Sequence, residues 1–309
     1  MTSTLRAYLE LVRPANVVTA FADILAGFAA AWSSSVKIMH GPGGFTVATV
    51  PEWGPGALLA LLAATAGLYA GGVVLNDVFD APIDAAERPE RPIPSGRVTR
   101  RSAAVFGGLL LVLGIAAAVA AGLIPGIIAL FIAVCAVTYD AAGKHHRVLG
   151  PINMGLCRGG NLLLGASAAP LLLGSIWYIG LLPVAYIGAV TAVSTGEVHG
   201  GIRRTGILAV TLIVLVTAAL LMLGLRPDFR TASSLPFIVI FGLLVFPPFI
   251  RAAIEPSPDL VRAAVKRGVL SLVAMDAAIA AGFGGWPFGI AVLVLLPISI
   301  ALARAFAVT

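Results

Sequence analysis

Charge is scarce in this sequence. Only 11% of its 309 residues are Asp, Glu, Lys or Arg, against about 25% in soluble domains, so there is too little charge for a hydrated globular surface or a disordered chain. Cysteine is scarcer still. Its two copies, Cys135 and Cys157, lie in or at the edge of apolar runs without metal-ligand spacing and read as buried packing thiols. A secreted disulfide scaffold is thereby excluded. Also missing is any polar stretch long enough to fold by itself, so residues 1–309 read as one domain although the length alone suggests about two soluble ones. What fills the sequence is apolar: 59% hydrophobic residues and a mean hydropathy of +1.02.

The hydrocarbon core of a bilayer takes about 20 apolar residues as a helix. Ten such runs can be drawn: Ala15–Trp32, Gly56–Val78, Ala103–Gly122, Pro125–Tyr139, Pro151–Leu173, Ile176–Thr195, Gly206–Leu225, Leu235–Ile250, Gly268–Phe283 and Pro287–Ala303. The fourth and the last two are short, which leaves nine as the alternative. Lipid offers backbone groups no hydrogen bonds, so runs of this kind form helices. The expected fold is an all-α polytopic membrane bundle of nine to ten helices.

With the N-terminus on the cytoplasmic side, sixteen of the 20 Lys and Arg residues fall inside, Lys37, Arg226 and Arg230 fall outside, and Arg158 lies within the fifth run. That is the positive-inside pattern. It accounts for the net charge of +6 without nucleic acid, for which no basic helix with interleaved aromatics is present. The first run resembles a signal peptide only in outline. Asn16, Thr19 and Asp23 recur along one face of it, and intramembrane polar groups of that kind face a cavity or a partner.

The acidic residues carry the most information. Asn76, Asp77, Asp80 and Asp84 close the second run, with Asp77, Asp80 and Asp84 at i, i+3 and i+7 on one helical face. Pro82 is expected to end or kink the helix there and to leave Asp84 on a loop. Three like charges on one face suit Mg²⁺ bound through carboxylates and substrate phosphate; they equally suit a solvated helix end neutralised by the arginines that follow. Those arginines, Arg88, Arg91 and Arg97, sit in a proline-rich loop, and carboxylate, metal and arginine together make a diphosphate site.

Asn76-Asp-x-x-Asp80-x-x-x-Asp84 followed by Arg88-Pro-x-x-Arg91-Pro-Ile-Pro-Ser-Gly96 resembles the first signature of the UbiA superfamily of intramembrane prenyltransferases. Arg13-Pro-Ala-Asn16 and the Tyr139 and Lys144 pair are similar to further elements of that family, and the likeness covers essentially the whole chain. The runs Tyr139–His146, Asn153–Asn161 and Gly196–Gly201 look most like its EboC-type branch. The resemblance implies a prenyl diphosphate bound through Mg²⁺ by two acidic motifs, with the prenyl chain in a lipid-open tunnel and transfer to a nucleophilic acceptor. The second motif departs from the pattern. Where the family usually shows Asp-x-Glu-Gly-Asp, this sequence has Glu197-Val-His-Gly-Gly201, so Glu197 is its one carboxylate. Glu197 and His199 are candidates to assist the metal or take the acceptor's proton, and for His199 a plain loop histidine is an equal alternative.

The resemblance and the residues together give the expected site. Asn76, Asp77, Asp80, Asp84 and Glu197 are candidate metal ligands for Mg²⁺, and Asp80, Asp84, Glu197, His199 and Tyr139 are candidate catalytic residues. Substrate would be bound by Asn16, Asn76, Arg88, Arg91, Lys144, Asn153, Arg158, Asn161 and Arg203. Arg158 stands three residues before Asn161, and a buried arginine needs an anion, which a diphosphate can supply; snorkelling to the interface is the bland alternative. Asp140, Arg147 and Arg204 rank lower, and Asp276 has no visible partner. The expected partners are a prenyl diphosphate, a small polar or aromatic acceptor and membrane lipids. A terpene cyclase of the same fold, or a non-catalytic binding or transport protein, is the alternative. The excess of arginine over lysine and the abundance of alanine point to a high-GC bacterium and its plasma membrane.

Overall fold

The structure is a computed structural model that describes residues 3–35, 38–40, 46–48, 55–198 and 200–305. Lys37 and His199 lie outside these. The helices are α1 (Ser3–Val12), α2 (Pro14–Ser35), α3 (Pro55–Glu87), α4 (Arg100–Ala121), α5 (Leu123–Ala141), α6 (Leu149–Ala166), α7 (Pro170–Ile176), α8 (Leu181–Ser194), α9 (Arg203–Met222), α10 (Thr231–Ile254), α11 (Pro258–Gly284), α12 (Trp286–Leu293) and α13 (Leu295–Ala305). Two three-residue strands between α2 and α3, β1 (Ile38–His40) and β2 (Thr46–Ala48), pair antiparallel. Among the described residues the bundle is all-α apart from that hairpin, as the apolar runs require.

Eight helical stretches among the described residues are long and apolar enough to cross a membrane. The two other long helices, α6 and α11, are interrupted by Asn153, Arg158 and Asn161 and by Arg262, Lys266, Arg267 and Asp276. Arg158, Asn161 and Asp276 are buried inside the bundle, whereas Arg262, Lys266 and Arg267 are exposed on the first turns of α11. The fifth apolar run does not stay one helix. It ends at Ala166 and restarts at Pro170, the first residue of α7, because proline cannot continue a helix whose carbonyls it leaves unbonded.

A second difference falls at the acidic motif. Helix α3 continues through Pro82 to Glu87, so Asp84 is helical and not on a loop. Pro82 has no N–H for the Val78 carbonyl one turn earlier, and Arg100 Nε donates to that oxygen at 2.9 Å. The side chain replaces the missing helical donor, and the three aspartates keep their common face.

Two apolar clusters flank the interior. One gathers Ile24, Leu61, Leu68, Leu111, Ile132 and Leu164 from α2 to α6; the other runs from α2 and α6 through α8 to α12 and includes Tyr186, Phe241, Leu272 and Phe283. Helices α2 and α6 belong to both and cross at contact distance. A Cβ on Gly27 would overlap the Leu162 carbonyl, and one on Gly165 the Ile24 carbonyl, so only glycine allows this approach. The polar residues of α2 and α6 are thereby pressed together in the middle of the bundle.

Candidate active site

Between the two clusters lies a cavity of about 400 Å³. Its walls are apolar along Leu68, Ile132, Ile187, Val190 and Val269, and its polar lining comes from Arg13, Asn16, Thr65, Asn76, Tyr139, Asp140, Arg158, Asn161 and Glu197. Six of the residues expected from the sequence therefore share one space: Asn16, Asn76, Tyr139, Arg158, Asn161 and Glu197. Thr65, Tyr69, Thr191 and Ser194 are lining residues that the sequence reading missed. For the first two the signal was present, since Thr65, Tyr69, Gly72 and Asn76 recur on one face of α3 and all four line the cavity.

The aspartates of α3 stand beside the mouth, each paired with a cation from another segment. Arg13 Nη2 donates to Asp77 Oδ1 at 2.5 Å, and Arg91 Nη1 reaches Asp84 Oδ2 at 2.7 Å and Asp77 Oδ1 at 3.5 Å. Lys144 Nζ donates to Asp80 Oδ1. Asp77, Asp84 and Arg91 are buried, while Asp80 and Lys144 are half-buried. Arg13 holds its place with φ at 50°, a left-handed conformation rare outside glycine, at the break between α1 and α2. Each pair engages one oxygen of its carboxylate.

Asn76 turns the other way and donates to Asp140 Oδ1 at 2.8 Å. Asp140, ranked low from the sequence, is thus part of the lining, buried and tied to the first motif across α3 and α5. Asn153 does not reach the cavity lining; its Nδ2 bonds Thr138 Oγ1 at 3.0 Å.

The second motif follows α8. Gly200 adopts φ of 89°, and Gly201 N donates to the Pro256 carbonyl at 2.8 Å, which moors the turn to the start of α11. Glu197 is half-buried at the cavity wall, and Arg262 Nη1 donates to its carbonyl at 3.3 Å. Burial pushes its carboxyl above the usual range, while Arg88 and Arg262 pull it back. Arg88 therefore faces the second motif, and Arg91 the first. Arg97 faces neither, because its Nη1 bonds Glu10 at 2.6 Å on α1. Arg203 is exposed at the start of α9.

Deeper in the cavity wall, Arg158 has an anion of its own. Its Nε lies 3.3 Å from Asp23 Oδ2, its Nη2 donates to the Thr19 carbonyl at 3.3 Å, and its guanidinium lies over the Tyr69 ring at 5.5 Å. Asn161 Nδ2 donates to Asp23 Oδ2 at 2.8 Å and its Oδ1 accepts from Thr65 at 2.6 Å. Snorkelling is excluded by the 5% exposure of Arg158. Cys135 is buried, but Cys157 lines the cavity and is only half-buried.

A hard divalent cation suits the donor chemistry of the first motif, carboxylate oxygens on adjacent helical turns. Among the described residues, though, no three His, Cys, Asp or Glu side chains converge. Positive charge is supplied to the aspartates by Arg13, Arg91 and Lys144.

Solved structures share this architecture. A structure of digeranylgeranylglyceryl phosphate synthase superposes with a TM-score of 0.66 at 22% identity, over 91% of this chain and 99% of that one. A UbiA homolog from Archaeoglobus fulgidus bound to GPP and Mg²⁺ gives 0.51 at 15% identity, over 96% and 99%. In sequence, the digeranylgeranylglyceryl phosphate synthase of Methanosarcina mazei is 36% identical over 168 residues, 54% of this chain and 56% of that protein, so this match spans little more than half the relative's length. The synthase of Methanothermobacter thermautotrophicus is 28% identical over 263 residues, 80% of this chain and 84% of that protein. The profile of the UbiA prenyltransferase family matches residues 39–254, a range that holds the acidic helix, the Tyr139 and Lys144 pair and the polar face of α6. With the helices, cavity and paired aspartates in place, the chain belongs to the UbiA prenyltransferase family.

Proposed function

We propose that this integral membrane protein transfers a prenyl group from a prenyl diphosphate to the hydroxyl of a glyceryl phosphate lipid. The observation that carries the reading is an apolar cavity whose mouth joins aspartates, arginines and a lysine in one charged cluster. The acceptor class follows the relatives, which are named for a glyceryl phosphate product, and replaces the small polar or aromatic acceptor expected from the sequence. The bias of basic residues supports a mouth on the cytoplasmic side. For the source, the relatives' organisms weigh against the bacterium read from composition.

Departure of diphosphate from an allylic carbon concentrates negative charge at the mouth and leaves a cation that water must not reach. Lys144, Arg91 and Arg13 are preorganised for the first demand. The apolar walls at Leu68, Ile132 and Val190 meet the second. Mg²⁺ would be held by carboxylates of Asp77, Asp80 and Asp84 and would screen the diphosphate. Tyr139 and Asn16 line the space where the acceptor's hydroxyl meets the prenyl carbon. Asp140 fixes Asn76.

The test is diphosphate release by the purified protein in lipid, with geranylgeranyl diphosphate as donor and geranylgeranylglyceryl phosphate as acceptor. Release that needs donor, acceptor, Mg²⁺ and Asp80, judged by Asp80→Ala, is expected. Release without acceptor would establish cyclisation or hydrolysis instead. Absence of both release and Mg²⁺-dependent donor binding would overturn the reading.

A further inference from the structure

The polar node beneath the mouth has an unusual charge count. Asp23 on α2 and Asp276 on α11 are 0% exposed and Arg158 on α6 is 5% exposed, so two carboxylates and one guanidinium sit away from water. Asp276, for which the sequence showed no partner, lies within hydrogen-bonding reach of Asp23. Yet Asp23 Oδ1 and both oxygens of Asp276 receive no donor, and Arg158 Nη1 finds no acceptor. Buried orphans of this kind cost about 1–3 kcal/mol each, and an uncompensated buried charge costs more. One proton held between the facing carboxylates pairs one oxygen of each and removes the charge imbalance, leaving one Asp276 oxygen and Arg158 Nη1 to be satisfied. That proton brings the node to zero net charge.

Thr65, Asn161 and Arg158 also line the cavity. Thr65 precedes Asn76 by eleven residues of α3, roughly 16 Å along the helix at about 1.5 Å per residue. The cavity is therefore charged at its mouth and polar but uncharged further in. A neutral node has little attraction for a second anion, and the Arg158 donor, buried as it stands, is satisfied by an uncharged oxygen once the guanidinium turns toward the cavity that the residue lines.

We propose that Asp23 and Asp276 share one proton and so hold Arg158 as a specificity-determining group, which receives an uncharged ether or hydroxyl oxygen of the acceptor lipid and not the diphosphate of the donor. The recognition half of this proposal rests on the transferase reading above; the shared proton does not.

Two measurements separate them. The first is the melting midpoint of the full-length protein in lipid. Asp276→Asn preserves the charge count and is expected to leave the midpoint close to wild type. Asp23→Asn with Asp276→Asn strands the guanidinium and lowers it, and adding Arg158→Gln restores it. A triple variant no more stable than the double overturns the shared proton. An Asp276→Asn variant as unstable as the double does the same. The second measurement is the pair of KM values. Replacing all three residues by Leu keeps the node uncharged but removes its donors; the KM for geranylgeranylglyceryl phosphate is expected to rise about tenfold, the worth of one hydrogen bond, with the KM for geranylgeranyl diphosphate unchanged. The Asn, Asn, Gln triple variant retains amide donors, so its KM for geranylgeranylglyceryl phosphate is expected to rise less than that of the Leu variant. If the donor's KM rises instead, Arg158 serves the diphosphate and the recognition is overturned; if neither value moves, the node is structural only. A wild-type protein with no turnover refutes the transferase reading and the recognition with it, while the midpoint series still decides the shared proton.

Discussion

The chain carries two groups of carboxylates set against basic residues, and they solve the same electrostatic problem differently. At the mouth, three aspartates on one helix meet Arg13, Arg91 and Lys144 from three other segments, with Asp80 and Lys144 half-buried. In the interior, two aspartates share one arginine and see no water. The outer group balances charge with side chains that a phosphate can recruit, whereas the inner group has no spare cation. Identical residue types thus yield an exchangeable site and a fixed one, and water access decides which.

The comparison is tested most severely at Arg91. It is the outer cation nearest to the inner condition, with 10% of its side chain exposed beside 7% for Asp84. Replacing Arg91 by Leu leaves Asp77 and Asp84 short of positive charge, and we expect a loss of about 3–5 kcal/mol of stability, the cost of stranding a buried charge. Urea or thermal unfolding in detergent reads this directly. A variant as stable as wild type would place the outer group fully in water.

Lys144 probes the exchangeable side. It holds the aspartate with the most water and has donors to turn toward a departing diphosphate, so Lys144→Met should cut diphosphate release by about a hundredfold with little change in melting. Loss of folding instead of turnover would make Lys144 an inner-type group.

The sequence made the outer group legible because its signal is local. Asp77, Asp80 and Asp84 fall within eight residues of one helix, and Arg91 follows on the next loop. The inner group was half legible. Asn16, Thr19 and Asp23 marked a polar face on α2, and Arg158 and Asn161 one on α6, but their pairing depends on Gly27 and Gly165 letting two helices touch. Asp276 stayed unexplained because its partner lies on a helix more than 250 residues away. Pro82 misled for a related reason. Its rule is local, while the donor that overrides it comes from Arg100 at the start of the next helix.

That rescue gives a smaller effect at the border of the outer group. Arg100→Ala withdraws the donor from the Val78 carbonyl, which is buried beside Pro82, and should cost about 1–2 kcal/mol. Hydrogen exchange is expected to rise in the turn from Asp80 to Glu87 and to stay unchanged around Asp23. Equal exchange in both regions would mean that the acidic turn needs no help from Arg100.

Glu197 lies between the two conditions, half-buried with Arg88 and Arg262 near it. Burial raises its carboxyl in the folded state, so the fold binds this proton more tightly than the unfolded chain does. Its contribution to stability is therefore fully present below the ordinary carboxylate range and is lost as the pH rises through the raised value. Glu197→Gln removes that dependence, so the melting midpoint of the variant should fall less than that of wild type as the pH rises across this window. Diphosphate release should drop only a few-fold, because the aspartates of α3 carry the larger share of the charge at the mouth. A melting profile identical to that of wild type would show that burial does not raise the Glu197 carboxyl, and would move it wholly into the outer group.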